Sequence, residues 1–307
     1  MKNVYYPLAG MNYIIDSIPQ ILKNKHPEDK KEIILYLSAQ VNSYPHIGTL
    51  VNFISAFALA KQIKSTYNVP TKIRVELLES VTGKEETING VKYYKNLMNV
   101  VDKDGTTICE KYLPYFKEIL NRLSTMDGIE YEIMFFYDYQ KQTLVRKSLL
   151  EVLDNADILG EVLNPKDGSI RLRFECPKCG LVDKHNHNLK VIHKSKDKII
   201  LENECPIHGK HRLTVTENNE ERFDMNVPLR YLVKAMYLIK SDKQNNTLSV
   251  IVDGGDWSGM WPLRVYMEPL LKLGYREPVN VIYTPTILDW SGSKLSKRMY
   301  VGNAAYR

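Results

Sequence analysis

Ile33-Ile34-Leu35-Tyr36-Leu37, then Tyr44-Pro45-His46-Ile47-Gly48-Thr49, then Leu50-Val51-Asn52-Phe53-Ile54-Ser55-Ala56-Phe57-Ala58-Leu59-Ala60, decide how this chain is built. The first run is apolar throughout and reads as a buried parallel strand. The last reads as a helix, and the turn between them carries Pro45, Gly48 and a histidine. An α/β sheet presents a nucleotide site in this manner, on the turn from a strand into a helix. The helix start offers unpaired N–H groups and a partial positive charge. Gly48 lets a phosphate or a ring approach the backbone, and His46 is a donor for a phosphoryl oxygen.

Outward from that stretch, 71–78 has apolar residues at 73, 75 and 77 and reads as a second strand. Strand, helix and strand at this spacing form one right-handed βαβ unit. Residues 79–109 are polar, contain Gly83, Gly90 and Gly105, and read as an excursion carrying a small hairpin. Helical spacing follows over 110–123, a strand over 129–136, and one helix over 139–159. A compact segment with cysteines and histidines spans 170–215. A helix over 227–239 has Pro228 in its first turn, and a buried strand over 249–253 ends in Gly254-Gly255-Asp256. A helix over 262–273 is stopped by Gly274, and a strand over 279–283 precedes a polar loop, 288–303. A short helix over 12–22 is expected on the sheet edge. The fold class expected is α/β, a Rossmann-like parallel sheet split by an insertion that carries a zinc knuckle. Residues 1–80 form the first half of the sheet domain. Residues 81–220 form the connective insertion, with the knuckle at 170–215. Residues 221–307 form the second half.

Composition restricts the partners. The chain has 307 residues, 44% hydrophobic and 25% charged, enough for a substantial core in one or two domains. Its net charge of +6, from 42 basic and 36 acidic residues, permits nucleic-acid contact without demanding it. The first residues, Met1-Lys2-Asn3-Val4-Tyr5-Tyr6-Pro7, contain no apolar signal-peptide core, and no apolar run is long enough to cross a bilayer. A membrane is therefore not an expected partner. Four cysteines, three of them grouped with a histidine, point to a reducing cytoplasmic setting and a metal rather than disulfides.

Cys176-Pro177-Lys178-Cys179 and Cys205-Pro206-Ile207-His208 each have the two-residue spacing of a zinc knuckle, with Gly180 and Gly209 closing the turns. Cys176, Cys179, Cys205 and His208 make a closed tetrahedron, hence structural Zn²⁺, with His211 an alternative fourth ligand. His185, His187 and His193 read as solvent-facing, and the lone Cys109 as inert or buried.

Two further stretches carry chemistry. Gly254-Gly255-Asp256-Trp257 lies where an open α/β sheet binds ligands, outside a strand's carboxyl end. The glycines admit a sugar or base, and Asp256 is an acceptor for ribose hydroxyls. Gly292-Ser293-Lys294-Leu295-Ser296-Lys297-Arg298 sets two lysines three apart among small residues, a pattern that suits a clamp for polyphosphate. Taken alone, each stretch is an ordinary turn or a solvated basic loop.

Together and in this order, the three resemble the catalytic domain of class I aminoacyl-tRNA synthetases. His46-Ile47-Gly48-Thr49 is similar to the family's HIGH signature, Lys294-Leu295-Ser296-Lys297-Arg298 to its KMSKS signature, and Gly254-Gly255-Asp256 to its ribose-holding Gly-x-Asp. The knuckle before Val227-Pro228-Leu229-Arg230 resembles the archaeal-type class I lysyl enzymes, and methionyl enzymes carry knuckles too. Thr49 replaces the family's last histidine, Arg298 its last serine, and Trp261 a histidine downstream of the Gly-x-Asp.

The resemblance implies aminoacyl-adenylate formation from Mg²⁺-ATP and an amino acid, with lysine the leading candidate, and transfer to a tRNA acceptor stem or another acyl carrier. It implies catalytic roles for His46, Thr49, Lys294 and Lys297, and ATP contacts for Gly48, Gly254, Asp256 and Ser296. Ser38 and Gln40, at the end of the first strand, and Trp257 are expected to line the amino-acid pocket. The family continues past this loop into an anticodon-binding domain. The sequence ending at Arg307 is expected of either a fragment or a free-standing enzyme. Two other classes fit part of the pattern: a nucleotidyl-transferring carboxylate ligase of the pantothenate-synthetase type, and a non-catalytic RNA-binding synthetase paralogue. The knuckle speaks against the first, and Thr49 favours the second.

Overall fold

The computed structural model describes residues 15–17, 21–288, 292, 294 and 295. In chain order its strands begin with β1 (Glu32–Ala39), β2 (Thr71–Leu77), β3 (Thr82–Ile88), β4 (Val91–Asn96) and β5 (Glu130–Phe135). The middle of the chain adds β6 (Leu172–Arg173), β7 (Leu181–Asp183), β8 (Lys190–Lys194), β9 (Lys198–Cys205), β10 (Gly209–Thr216) and β11 (Asp224–Met225). β12 (Thr247–Gly254) and β13 (Asn280–Thr284) follow. The helices used below are α1 (Ile47–Tyr67), α2 (Ile108–Asp127), α3 (Phe136–Lys141), α4 (Thr143–Asp154), α5 (Ala156–Leu163) and α6 (Val227–Asn245).

Five strands pair in parallel in the order β13-β12-β1-β2-β5. β1 lies at the centre, and the order runs one way through β2 to β5 and the other way through β12 to β13. That reversal is the switch point of a doubly wound α/β sheet. β1 is buried on both faces because alternate residues feed separate cores. Ile33, Leu35 and Leu37 pack with Phe53 and Phe57 of α1 and Phe116 and Leu120 of α2. Ile34 and Tyr36 pack on the other face with Leu232, Val233 and Met236 of α6 and Leu149 of α4. The α/β class and the parallel sheet expected from the apolar runs are present.

The insertion differs from its expected outline. β5 lies inside 81–220 yet forms an edge of the main sheet, so the chain leaves the sheet twice, after β2 and again after β5. Glu79 secures that geometry: its carboxylate accepts from the Phe136 and Tyr137 amides at 2.8 and 2.7 Å, joining the exit of β2 to the start of α3. The helix expected over 139–159 is three pieces, α3 to α5. Gln142 between the first two is extended (φ −66°, ψ 129°), and Asn155 (φ −102°, ψ 28°) breaks the second from the third. The helical stretch 260–272 contains a π turn, Leu263–Met267. The short helix expected over 12–22 falls largely outside the described residues.

Outside the main sheet, β3, β4 and β7 form one antiparallel sheet and β8, β9 and β10 another. The buried Asp224 carboxylate fastens this middle segment to the end of β2. It accepts from Ser80 Oγ at 3.1 Å, Tyr94 OH at 2.6 Å and the Arg173 guanidinium at 2.5 Å. Among the described residues no helix is long and apolar enough to cross a membrane.

Candidate active site

The carboxyl ends of β1 and β12 diverge at the switch point and open a cavity of about 410 Å³ between them. From the β1 side it is lined by Ser38, Gln40, His46, Gly48 and Thr49, and from the β12 side by Gly254, Asp256 and Trp257. Lys294 lines it from the chain's far end. Nine residues expected at a nucleotide and substrate site thus meet in one cleft. Ser296 and Lys297 lie outside the described residues.

His46 caps α1. Its Nδ1 accepts the Gly48 amide at 3.1 Å, so the neutral ring carries its proton on Nε2 as a donor. Gly48 keeps the space beside the ring clear. A Cβ there would lie 3.0 Å from His46 Cε1 and 3.2 Å from Nδ1, so the bare glycine leaves room for the histidine ring. The histidine donor and the positive end of the helix dipole therefore converge on one wall.

On the opposite wall Asp253 closes β12. Tyr231 OH donates to its Oδ2 at 2.5 Å and the Gly254 amide to its Oδ1 at 2.8 Å. Burial pushes its carboxyl above the usual range, and those two donors counter the shift. Asp256 follows on a short turn, and Lys294 Nζ donates to its Oδ2. The Lys294 segment is held to the sheet domain by Leu295 N–H on the Ile287 carbonyl at 2.9 Å. Lys294 and Asp256, expected to contact phosphate and ribose separately, therefore pair with each other across the mouth of the cleft.

The floor contains residues that sequence reasoning missed. Glu76, opposite Ser38 in the β1–β2 register, accepts from Lys234 Nζ at 2.7 Å and from Ser38 Oγ at 3.1 Å, all on the same oxygen, Oε2. Lys234 also donates to Ser38 Oγ at 3.3 Å and lies 5.4 Å from the Tyr36 ring centre. Both charged residues are buried. The available signal was a lysine among Leu232, Val233, Ala235 and Met236 on a helix, and a glutamate between Val75 and Leu77 on an inner strand. Gly255 was also missed: a Cβ there would lie 2.6 Å from the Thr284 carbonyl oxygen, so only glycine lets β12 turn against the end of β13.

The knuckle cysteines and histidine are assembled. The ligand atoms of Cys176, Cys179, Cys205 and His208 all lie within 4.8 Å of one another. Cys176 Sγ is 3.6 Å from His208 Nδ1, Cys179 Sγ is 3.6 Å from Cys205 Sγ, and Cys205 Sγ is 3.7 Å from His208 Nδ1. A tetrahedral Zn²⁺ with Zn–S near 2.3 Å sets its thiolates about 3.8 Å apart, so the donor set and its edges fit that ion. Burial pushes the Cys176 thiol up, but the Lys178 and Cys179 amides and the neighbouring thiols outweigh it and hold the thiol below its usual range. Burial, then its thiol neighbours, push Cys179 up to about 11. His211 is not in the cluster and rests its ring 5.2 Å from that of Phe174. His185, His187 and His193 are exposed, and Cys109 is buried.

No protein-family model matches this sequence, and no curated protein does. Among solved structures, a Campylobacter jejuni protein assigned as an arginyl-tRNA synthetase superposes with a TM-score of 0.32 at 11% identity. The match covers 96% of this chain and 64% of that one. A superposition this loose leaves the function to be argued from the cleft itself.

Proposed function

We propose that the cleft activates an amino acid with ATP. A carboxylate oxygen of the amino acid attacks the α-phosphorus, the bond from that phosphorus to the α,β-bridging oxygen breaks, and pyrophosphate leaves with the electron pair. The product is an aminoacyl-adenylate, passed on to a tRNA acceptor stem or another acyl carrier. The observation that carries this reading is the convergence at the switch point. A neutral histidine donor on a helix N-terminus faces a Gly-Gly-Asp turn, and a lysine from the end of the chain reaches the same opening.

A carboxylate nucleophile needs no general base, so the residues have only to position the reactants and stabilise charge. His46 Nε2 and the Thr49 hydroxyl are the donors for the α-phosphate oxygens. Lys294 leaves Asp256 to take up the polyphosphate, and Lys297 joins it. The freed Asp256 carboxylate accepts from the ribose, beside Gly254. Gly48 and Ser296 complete the nucleotide's contacts, and Mg²⁺ arrives with the nucleotide and neutralises part of its charge. Ser38, Gln40 and Trp257 border the space left for the amino acid. Cys176, Cys179, Cys205 and His208 hold Zn²⁺ with no open position, in a structural role.

Amino-acid-dependent exchange of pyrophosphate into ATP tests the reading, with all proteinogenic amino acids screened. Lys297→Ala is expected to lower exchange by about 10²–10³-fold, the usual loss for one charge-stabilising contact, without altering the melting temperature. Unaltered exchange by that variant refutes the assignment. Exchange supported only by a carboxylate without an amino group favours a pantothenate-synthetase-type ligase. RNA binding without exchange favours a non-catalytic paralogue.

A further inference from the structure

Among the described residues Glu76 Oε1 is buried and has no hydrogen-bond partner, although its residue borders the cleft. A carboxylate oxygen in that state is costly unless a ligand completes it. Its sister oxygen is occupied by Lys234 and Ser38. The other carboxylates lining the cleft are also engaged among the described residues: Asp253 by Tyr231 and Gly254, Asp256 by Lys294. Among the described residues lining the cleft, one buried carboxylate oxygen is left without a donor, beside Ser38.

The remaining charges on the floor are positive. Lys234 and Arg230 lie one turn apart on α6 and both line the cleft. The Tyr266 hydroxyl, buried and without a partner among the described residues, belongs to a residue that lines it as well. Burial holds that phenol far above its usual range, so it stays neutral and offers one donor and one acceptor site.

Resting on the reading of this cleft as an amino-acid-activating site, we propose that Glu76 Oε1 is the single seat for a substrate ammonium. Lys234 is the positioning residue that holds the Glu76 carboxylate in place. The amino acid activated therefore carries a neutral or acidic side chain. Its α-ammonium completes the one buried carboxylate oxygen of the cleft that lacks a partner among the described residues. A second ammonium, as lysine would bring, meets Lys234 and Arg230 with no buried carboxylate oxygen left among the described residues to neutralise it, and like charges brought together away from water repel strongly. A neutral polar or acidic side chain finds donors in Tyr266, Arg230 and Lys234. The lysine suggested by the resemblance is thereby disfavoured.

The test is pyrophosphate exchange by the full chain, purified with its metal, across the amino-acid panel, with KM read separately for ATP and amino acid. The expected result is use of a neutral or acidic amino acid at least tenfold more efficiently than lysine or arginine. Glu76→Gln is expected to raise the amino-acid KM at least tenfold with the KM for ATP unchanged. Lys234→Met is expected to raise the same KM, and Lys234→Arg to restore it. The double variant Glu76→Gln/Lys234→Met removes both charges together, so it folds without either being left unpaired, and its amino-acid KM stays raised. A preference for lysine or arginine overturns the inference and leaves the activation reading intact, and so does an unchanged amino-acid KM in the double variant. Absence of exchange with every amino acid overturns the activation reading itself, and the inference with it.

Discussion

Removing the metal should melt one part of this protein and spare the rest. The knuckle ends, 176–183 and 203–210, have their own small apolar patch: Tyr93, Cys176, Leu181 and Cys205 buried, with Ile88, Val91 and Cys179 packed on it. At about 1.5 kcal/mol per side chain, the lower end of the usual range because three of the seven are only partly buried, the patch contributes on the order of 10 kcal/mol. Ordering roughly sixteen residues costs about 1–2 kcal/mol each, some 24 kcal/mol in total. The shortfall of about 14 kcal/mol is what a structural Zn²⁺ typically supplies, about 10–16 kcal/mol. The far ends of the same strands are held differently. Ile199, Leu201, Leu213 and Val215 belong to the large core beneath the main sheet. Chelation followed by hydrogen exchange should therefore deprotect the Cys176 and Gly180 amides, which bond to Leu181 O and Cys176 O at 2.8 Å. Protection should persist at Ile199, Leu201, Leu213 and Val215 and throughout β1. Metal analysis of the untreated protein should give one zinc per chain. Unchanged protection at Cys176 and Gly180 after the metal is gone would refute the reasoning, and so would concerted loss of the main sheet.

Three further outcomes are expected. Gly255→Ala pushes a Cβ to 2.6 Å from the Thr284 carbonyl and 2.9 Å from Thr286 Oγ1, and should cost about 1–3 kcal/mol in a denaturant melt; an unmoved midpoint would contradict the close approach. Burial, then the charges of Glu79 and Glu110, push the Cys109 thiol up to about 12 from 9.0, so the native protein should resist alkylation at pH 8. Because the fold keeps that proton longer than the unfolded chain, the stabilisation is full below pH 9 and is lost as pH rises from 9 to 12. Cys109→Ala should flatten that alkaline decline in thermal melts, and a decline identical to wild type would count against it. Thr107→Ala breaks the reciprocal cap with Glu110 at the start of α2 and should cost about 1 kcal/mol, read as a lowered melting midpoint; no change would show the cap to be idle.

Most of the cleft was legible because its signals are local. A five-residue apolar run is too short for a buried helix and reads as an inner strand, and β1 is one. The His46 turn, the Gly254-Gly255-Asp256 turn and the two Cys-Pro knuckles are each complete within a few residues, and the structure keeps each as a unit. The small hairpin expected between 79 and 109 is β3 and β4. Element boundaries fared worse where the signal was weak. No proline or glycine marks Gln142 or Asn155, so three helices read as one.

What the sequence by itself determined is the set of parts: an α/β chain, a strand-to-helix turn with a histidine donor, a Gly-Gly-Asp turn, and a Cys₃His ligand set. Periodicity and spacing carry such information because a strand, a helix start or a metal turn is decided by neighbours a few residues apart. The tertiary structure alone decided how the parts meet. It put β5 into the main sheet and Lys294 on Asp256. It also sealed Lys234 against Glu76 at the floor of the cleft, 158 positions apart in the chain. Whether a buried charge finds its partner depends on which strands and helices are neighbours, and no local pattern encodes that.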